Sequence, residues 1–185
     1  MPPTVLKKTS HTAALPQWVS SHPAGIMVTE AGGYRRDILG GLPMRTIKQV
    51  LEEKGSEVIA IEPGASVYSA IEIMAGNGIG ALMVMEGTRP VGLISERDYA
   101  RNVTLKGRSS RDTEVREVMT THVYCVRPEQ TVEQCMALMT EKRVRHLPVI
   151  EDDRVVGIVS IGDLVKSIIA DQQFIIEQLE HYICG

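Results

Sequence analysis

Hydrophobic and polar positions along this chain switch between two periods, and the order of the switches is repeated. Residues 57–61 and residues 123–126 have the short apolar runs that predict strands. Apolar positions then recur at i, i+3, i+4 and i+7 after Ser66 and again after Thr131, which predicts two amphipathic helices with hydroxyl N-caps. Each helix precedes two further apolar runs and another helical pattern. The predicted order is therefore β-α-β-β-α, twice.

The other predicted elements are short, apart from a long last helix. They are strands at Ala81–Met85, Val91–Ile94, Leu147–Ile150 and Val155–Val159, helices at Ser95–Leu105 and Glu114–Met119, a first helix from Met44 that stops at Gly55, and a last helix from Gly162 to about Ile183. Because one unit of about 50 residues buries little surface, we expect the two units to pack together.

The closest match between the two units is a motif where the last strand gives way to the last helix. It reads V-G-L-I-S-E-R-D at Val91–Asp98 and V-G-I-V-S-I-G-D at Val156–Asp163. The offset is the same for the glycine, the serine and the aspartate, for example 157 − 92 = 65 residues. An identical offset at three positions indicates an internal duplication.

Each motif places a hydroxyl and a carboxylate at the start of a helix. Ser95 and Ser160 are predicted N-caps, and Asp98 and Asp163 lie in the first turn, where the helix dipole favours an anion. Carboxylate oxygens can accept hydrogen bonds from two hydroxyls, while the serine and free amides can donate to an anion. The segment therefore suits a sugar diol and a phosphate, although capping alone would also explain both residues.

The chain is divided into a polar extension and two repeats. Residues 1–43 are rich in proline and glycine and lack sustained periodicity, so we predict that they are disordered or absent from the working protein. A mitochondrial presequence or a mis-assigned upstream start would each account for them. Residues 44–112 form the first repeat with its preceding helix, and residues 113–185 form the second repeat with the long last helix. The apolar stripe of that helix predicts either self-association or an intramolecular clasp over the first helix.

Composition and motif spacing exclude several classes of protein. A net charge of −3 argues against nucleic acid as the main partner, and no apolar run reaches membrane length. The three cysteines lack Cys-x-x-Cys spacing, which favours a reducing, intracellular setting. No nucleophile, metal-ligand or phosphate-loop motif is present, so the sequence predicts neither an enzyme nor a metal site.

The repeated unit, with Gly-h-h-Ser-x-x-Asp at its end (h, apolar), resembles the cystathionine-β-synthase (CBS) domain. The resemblance extends from Met44 to Ile183 and is most specific at Gly92–Asp98, at Gly157–Asp163 and at Arg143–Val149. The chain is thereby similar to stand-alone CBS-pair proteins of bacteria and plant organelles. This resemblance implies an α+β (α/β-like) fold in which two β-α-β-β-α repeats pack as a pseudo-two-fold pair, with two pairs forming a disc-shaped dimer.

The resemblance also implies a ligand. In the family, clefts between the repeats hold adenosine compounds such as AMP, ATP or NAD. By analogy, Asp98 and Asp163 would accept hydrogen bonds from ribose hydroxyls, and Ser95 and Ser160 would bind ribose or phosphate. Arg97 stands beside Asp98 where the second repeat has glycine, so the two pockets are not expected to be equivalent.

Further site residues follow from the same resemblance. Arg145 and His146 match positions that often reach phosphate in the family. Their counterparts in the first repeat are Gly80 and Ala81, which cannot do so and leave that pocket without an evident phosphate site. On the first strands of the repeats, Ala60 and Cys125 fall where the family lines the nucleoside pocket mainly with backbone; the full set of predicted binding residues is Ser95, Arg97, Asp98, Arg145, His146, Ser160, Asp163, Ala60 and Cys125.

The function predicted from the sequence is an adenosine-ligand sensor that regulates an unidentified partner protein. The expected state is a cytoplasmic homodimer, or one in the mitochondrial matrix if residues 1–43 are a presequence. The alternative is a dimerising scaffold with vestigial pockets. The Ser/Asp pair is intact in both repeats, which favours the sensor because a scaffold would not need it.

Overall fold

A computed structural model describes residues 4–6, 27–28 and 44–184 of the chain. The elements, in chain order, are β1 (Thr4–Leu6), β2 (Met27–Val28), α1 (Ile47–Lys54), β3 (Val58–Ile61), α2 (Val67–Asn77), β4 (Ala81–Glu86), β5 (Arg89–Ser95), α3 (Glu96–Tyr99), a π-helical turn (Ala100–Thr104), a 3-10 turn (Val115–Glu117), β6 (Tyr124–Cys125), α4 (Val132–Lys142), β7 (His146–Glu151), β8 (Arg154–Ser160) and α5 (Ile161–Cys184). The β-α-β-β-α order is found twice, as predicted.

The hydroxyl caps predicted for the middle helices are present. Ser66 Oγ accepts a hydrogen bond from Ser69 N at 3.1 Å at the start of α2. At the start of α4, Thr131 Oγ1 accepts from Gln134 N at 3.3 Å and Gln134 Oε1 accepts from Thr131 N at 2.9 Å. This reciprocal pair satisfies two amide groups that a helix start leaves without partners.

Two predicted helices have a different form. The helix expected over Ser95–Leu105 has one α turn and then continues as the π-helical turn Ala100–Thr104, with Leu105 N donating to Ala100 O at 3.1 Å. The helix expected at Glu114–Met119 is the shorter 3-10 turn Val115–Glu117. Both segments stay in their predicted places, so the order of elements is unaffected.

The two repeats contain matching antiparallel hairpins. In the first, β4 pairs with β5, and in the second, β7 pairs with β8. The register shifts between Val84 and Met85 in one hairpin and between Val149 and Ile150 in the other, which are equivalent positions 65 residues apart (149 − 84). The turn of the second hairpin uses Asp152 and Asp153 at positive φ, as two-residue hairpin turns require. The duplication therefore extends to backbone irregularities.

Packing crosses the boundary between the repeats. Ile47, Val50 and Leu51 of α1 are buried in one core with residues of the second repeat, including Leu147 and Leu164. The first segment of the second repeat, in turn, contributes buried valines, Val115 and Val118, to the core of the first repeat. A third core joins the repeats through Val58, Ala60, Ala81, Met83, Met85, Leu93, Val123, Cys125 and Ile150. Each repeat thus depends on the other for its core, as expected from its small size.

The motif glycine of each repeat allows a segment from outside its own β-α-β-β-α unit to pack against the strand that carries it. A methyl group on Gly157 would lie 2.7 Å from Leu51 Cδ2 of α1. A methyl group on Gly92 would lie 2.8 Å from Met119 Sδ and 2.9 Å from the backbone oxygen of Thr120. Glycine is required at these positions because another part of the chain approaches the strand closely.

Five residues of the N-terminal extension are described, and they pair as strands. Thr4–Leu6 runs antiparallel to β3, and Met27–Val28 runs parallel to β6. These segments have regular backbone pairing although their sequence shows no sustained periodicity. The disorder predicted for the remainder of residues 1–43 lies outside the described residues.

The long helix α5 has two parts with different surroundings. Its first part packs on α1, α4 and β8, and Arg45 donates to Ser167 Oγ at 3.1 Å and pairs with Asp171 at 3.5 Å. Beyond Asp171 most side chains are exposed, among them Phe174, Ile176, Leu179, Tyr182 and Ile183. The predicted packing of α5 over the first helix, α1, is therefore found for the first part of α5 only. Among helices in the described part of the chain, none combines the length and apolarity needed to cross a membrane.

Candidate functional site: a cleft between the repeats

Both Ser-x-x-Asp motifs form reciprocal helix caps. In the second repeat, Ser160 N and Ser160 Oγ each donate to Asp163 Oδ2 at 2.7 Å, and Asp163 N donates to Ser160 Oγ at 3.2 Å. In the first repeat, the same three bonds join Ser95 and Asp98 at 2.9, 2.6 and 3.4 Å. The two bonds that each carboxylate accepts use one oxygen, Oδ2. Capping is therefore confirmed, and Oδ1 takes no part in it.

A cleft of about 230 Å³ opens in front of the second motif. Both repeats line it, together with the end of α1, and its lining consists of Lys54, Glu57, Ile59, Gly78, Ile79, Gly80, Ala81, His146, Ile158, Ser160 and Asp163. The volume is close to the lower limit of about 300 Å³ that is usual for small-molecule clefts. Isoleucines and small residues provide apolar surface, and the carboxylate provides a directional polar contact.

The cleft brings together three of the predicted site residues, Ser160, Asp163 and His146. It also places the motif of one repeat opposite the strand start of the other, since Gly78–Ala81 of the first repeat faces Asp163. Arg145, which the sequence assigned to the second repeat's pocket, is not among the described residues that line this cleft. Its carbonyl accepts from Ile161 N at 2.9 Å, which holds the backbone beside α5. The crossed packing of the repeats explains this difference.

Lys54, at the end of α1, is the cleft residue that sequence reasoning missed. Its Nζ lies 2.5 Å from Asp163 Oδ2 and donates to Ile158 O at 3.0 Å. The lysine side chain is 39% exposed and the aspartate 23% exposed, so the ion pair is only partly screened by water. A contact across 109 residues leaves no signal in local periodicity, and a basic residue in the last turn of α1 is sufficiently explained by the helix dipole.

The ion pair determines the charge state of the cleft. Partial burial by itself raises the pKa of Asp163, but the hydrogen bonds from Lys54 and Ser160 outweigh it and hold the pKa below its usual value. Asp163 is therefore ionised at neutral pH. Because its folded pKa is lowered, this pairing stabilises the fold wherever an unfolded aspartate would be ionised, and the stabilisation is lost as pH falls through the folded pKa.

His146 lies at the contact between the two strand starts. A methyl group on Gly80 would lie 3.3 Å from His146 Nε2, which shows how closely the imidazole packs on the first repeat. Burial and the nearby Lys54 ammonium lower the pKa of His146, against the opposing effects of Asp163 and Glu96. The ring is therefore neutral at physiological pH and can act as a hydrogen-bond donor or acceptor rather than a cation.

The motif of the first repeat has different neighbours. Thr120 Oγ1 lies 3.5 Å from Asp98 Oδ1, whereas Lys54 contacts Asp163 at Oδ2. The Arg97 guanidinium donates to Arg143 O at 2.9 Å, so the arginine beside Asp98 connects α3 to the end of α4 in the second repeat. The expected difference between the two pockets therefore extends to the groups that contact each aspartate.

Ala60 and Cys125 are placed in the core between the sheets. Ala60 is 2% exposed and Cys125 is 1% exposed. Burial raises the pKa of the Cys125 thiol to about 12, so it stays protonated and unreactive. Neither side chain is among the described residues lining the cleft. Any contact that Ala60 and Cys125 make with a ligand would be through the backbone, as the resemblance to the family implied. Within residues 44–184, no three His, Cys, Asp or Glu side chains gather to hold a metal ion.

Two copies of one domain account for most of the chain. The model of the CBS domain family matches residues 47–104 and residues 115–170. These segments contain both hairpins, both Ser-x-x-Asp motifs and all the residues that line the cleft. The chain belongs to the CBS-domain family as a tandem pair, and the predicted fold class is confirmed.

Three similar proteins, two of them solved structures, are CBS-domain proteins. The mitochondrial CBS domain-containing protein CBSX3 of Arabidopsis thaliana is 36% identical over 154 residues, covering 78% of this chain and 75% of that protein. A putative signal-transduction protein with CBS domains from Burkholderia ambifaria is 49% identical, with a TM-score of 0.67, covering 69% of this chain and 96% of that one. A CBS pair solved with 5′-methylthioadenosine and S-adenosyl-L-methionine is 23% identical and shares the fold, with a TM-score of 0.62, covering 70% of this chain and 99% of that one. This chain is thus similar to stand-alone CBS-pair proteins.

Proposed function

We propose that the protein is a non-catalytic regulatory module that binds an adenosine-containing ligand of the AMP, ATP or NAD type between its repeats and signals to a partner protein. The observation that carries the proposal is the cleft in front of Asp163, where an ionised carboxylate at a helix start faces apolar and glycine-rich surface. A CBS pair that shares this fold holds two adenosine derivatives, which supports the class of ligand.

The chemistry of the lining fits the parts of a nucleoside. A carboxylate can accept from both hydroxyls of a ribose, and the hydroxyl of Ser160 and the free amides at the start of α5 can donate to an anion. Ile59 and Ile158 offer apolar contact for a base, and Gly78 and Gly80 leave room for it to approach the backbone. The lining thus combines the polar groups of Ser160 and Asp163 with apolar surface from Ile59 and Ile158. This combination favours a nucleoside over a small inorganic anion.

A melting-temperature series separates the sensor from the scaffold with vestigial pockets. A ligand at about 100 times its dissociation constant should stabilise the fold by about 2.7 kcal/mol, which for a chain of this size raises Tm by roughly 5 to 10 °C. AMP, ATP, NAD and S-adenosylmethionine should be tested in parallel, with guanosine monophosphate as the control. If none of them shifts Tm at millimolar concentration, the scaffold becomes the better explanation.

We also infer that the protein is a homodimer that uses the distal part of α5. Large apolar side chains there are exposed in the single chain, including Phe174 at 62% and Leu179 at 57%. Contiguous exposed apolar surface of this kind is typical of association sites. Sedimentation equilibrium should give twice the chain mass for the parent protein and the monomer mass for Leu179→Glu; a monomeric parent would contradict the inference.

A further inference from the structure

We propose that Lys54 makes the Asp163 cleft selective for adenosine ligands that carry a phosphate. The inference rests on the proposed function, because it concerns how that cleft distinguishes among nucleosides and nucleotides. Lys54 is outside both repeated motifs: it comes from the helix that precedes the first repeat and reaches the aspartate of the second.

Lys54 competes with a ribose for the same carboxylate. Asp163 Oδ2 accepts three hydrogen bonds, two from Ser160 and one from Lys54 Nζ. Within residues 44–184, no hydrogen bond reaches Oδ1. A ribose diol that binds both carboxylate oxygens must therefore take the place of the ammonium at Oδ2, because the two bonds from Ser160 belong to the helix cap.

Displacement leaves an ammonium in the cleft without its anionic partner. The remaining bond to Ile158 O involves a neutral acceptor, which does not compensate for a partly buried charge. A nucleotide supplies a phosphate to pair with Lys54, whereas adenosine supplies none. Glu57 also lines the cleft and is the other anion that Lys54 could pair with, so the test has to include it.

The first repeat has no equivalent of this competition among the described residues. Thr120, a neutral hydroxyl, contacts Asp98 at Oδ1, whereas the Lys54 ammonium contacts Asp163 at Oδ2, and the sequence counterpart of Lys54 at the 65-residue offset is Met119. A nucleoside at Asp98 therefore displaces no charge. Selection for phosphate through this mechanism is confined to the Asp163 cleft.

Calorimetric titration in an Asp98→Ala background, where only the Asp163 cleft retains its aspartate, tests the proposal. Before substitution of Lys54, AMP should bind about tenfold more tightly than adenosine, since a charge-assisted bond to a half-exposed lysine lies at the weaker end of its range. Lys54→Met, the residue that the other repeat carries, should remove this preference. It should weaken AMP about tenfold and leave adenosine unchanged or more tightly bound.

Three variants make the result specific. Lys54→Arg keeps the charge and should keep the preference for AMP. Lys48→Met removes one charge from the exposed face of the same helix and should leave both affinities unchanged. Glu57→Gln should increase the preference for AMP, because it removes the alternative partner of Lys54. Melting temperatures of all variants establish that each one is folded.

The proposal and the function on which it rests fail in different ways. If neither AMP nor adenosine binds before Lys54 is changed, the nucleoside-binding function is wrong and the inference fails with it. If AMP and adenosine bind equally well and Lys54→Met alters neither, the function stands and the role of Lys54 is wrong. Equal weakening of both ligands by Lys54→Met would mean that the lysine only supports the shape of the cleft, which also overturns the proposal.

Discussion

Replacing Ile47 by alanine should lower the free energy of unfolding by about 2–5 kcal/mol, the usual cost of truncating a fully buried isoleucine. Ile47 is 0% exposed and belongs to the same core as Val132, Leu147 and Leu164 of the second repeat. The loss arises because the cavity would open in that core, although Ile47 precedes the first repeat in the sequence. Urea unfolding followed by circular dichroism gives the value directly.

Met44→Ala is the matched control for Ile47→Ala. Met44 lies three residues earlier and is 45% exposed, so its truncation should cost less than about 0.5 kcal/mol. If Ile47→Ala were equally mild, α1 would be a peripheral helix, and the packing of Lys54 into the cleft would lose its structural support.

Replacing Asp163 by alanine should weaken binding of AMP by about ten- to a hundredfold, equivalent to about 1.5–3 kcal/mol for hydrogen bonds to a charged acceptor. The carboxylate is the ionised acceptor in the cleft, and its loss also removes the two hydrogen bonds that Ser160 N and Ser160 Oγ donate to it at the start of α5. Stability should therefore fall as well, by about 1 kcal/mol. Calorimetry at a temperature well below Tm keeps the two effects apart.

Asp163→Asn separates the charge from the cap. The amide oxygen of asparagine can still accept the hydrogen bond from Ser160 N, so this variant should lose less stability than Asp163→Ala but still lose affinity. If Asp163→Asn and Asp163→Ala both bound AMP as tightly as the parent protein, the motif would serve only to cap the helix. That result would remove Asp163 from the proposed site.

Much of the fold was predictable because it depends on local patterns and on one repeated offset. The caps at Ser66 and Thr131, the turn at Asp152 and Asp153, and the strand order of both hairpins all depend on residues near one another in the chain. The glycine of each repeated motif also proved to have a physical reason, since other chain segments pack directly against it.

The candidate site was only partly predictable because it is formed by contacts between distant segments. The motif predicted the positions of Ser160 and Asp163, but Lys54, which pairs with Asp163, comes from α1, and the other repeat supplies part of the cleft lining. Arg145 and His146 were predicted together, and of these two residues only His146 is among the described residues that line this cleft. The glycine-rich strand start of the first repeat lies in the same cleft, an arrangement that no local pattern of the sequence shows.

A crystal structure of the protein grown with AMP tests the central claim most directly. The account predicts density for the nucleoside between Ile59, Ile158 and Asp163, with both ribose hydroxyls on the Asp163 carboxylate and with Lys54 moved from Oδ2 to the phosphate. An occupied cleft in which Lys54 still pairs with Asp163 would contradict the phosphate selection. An empty cleft at saturating AMP, or density only at a site away from Asp163, would contradict the function itself.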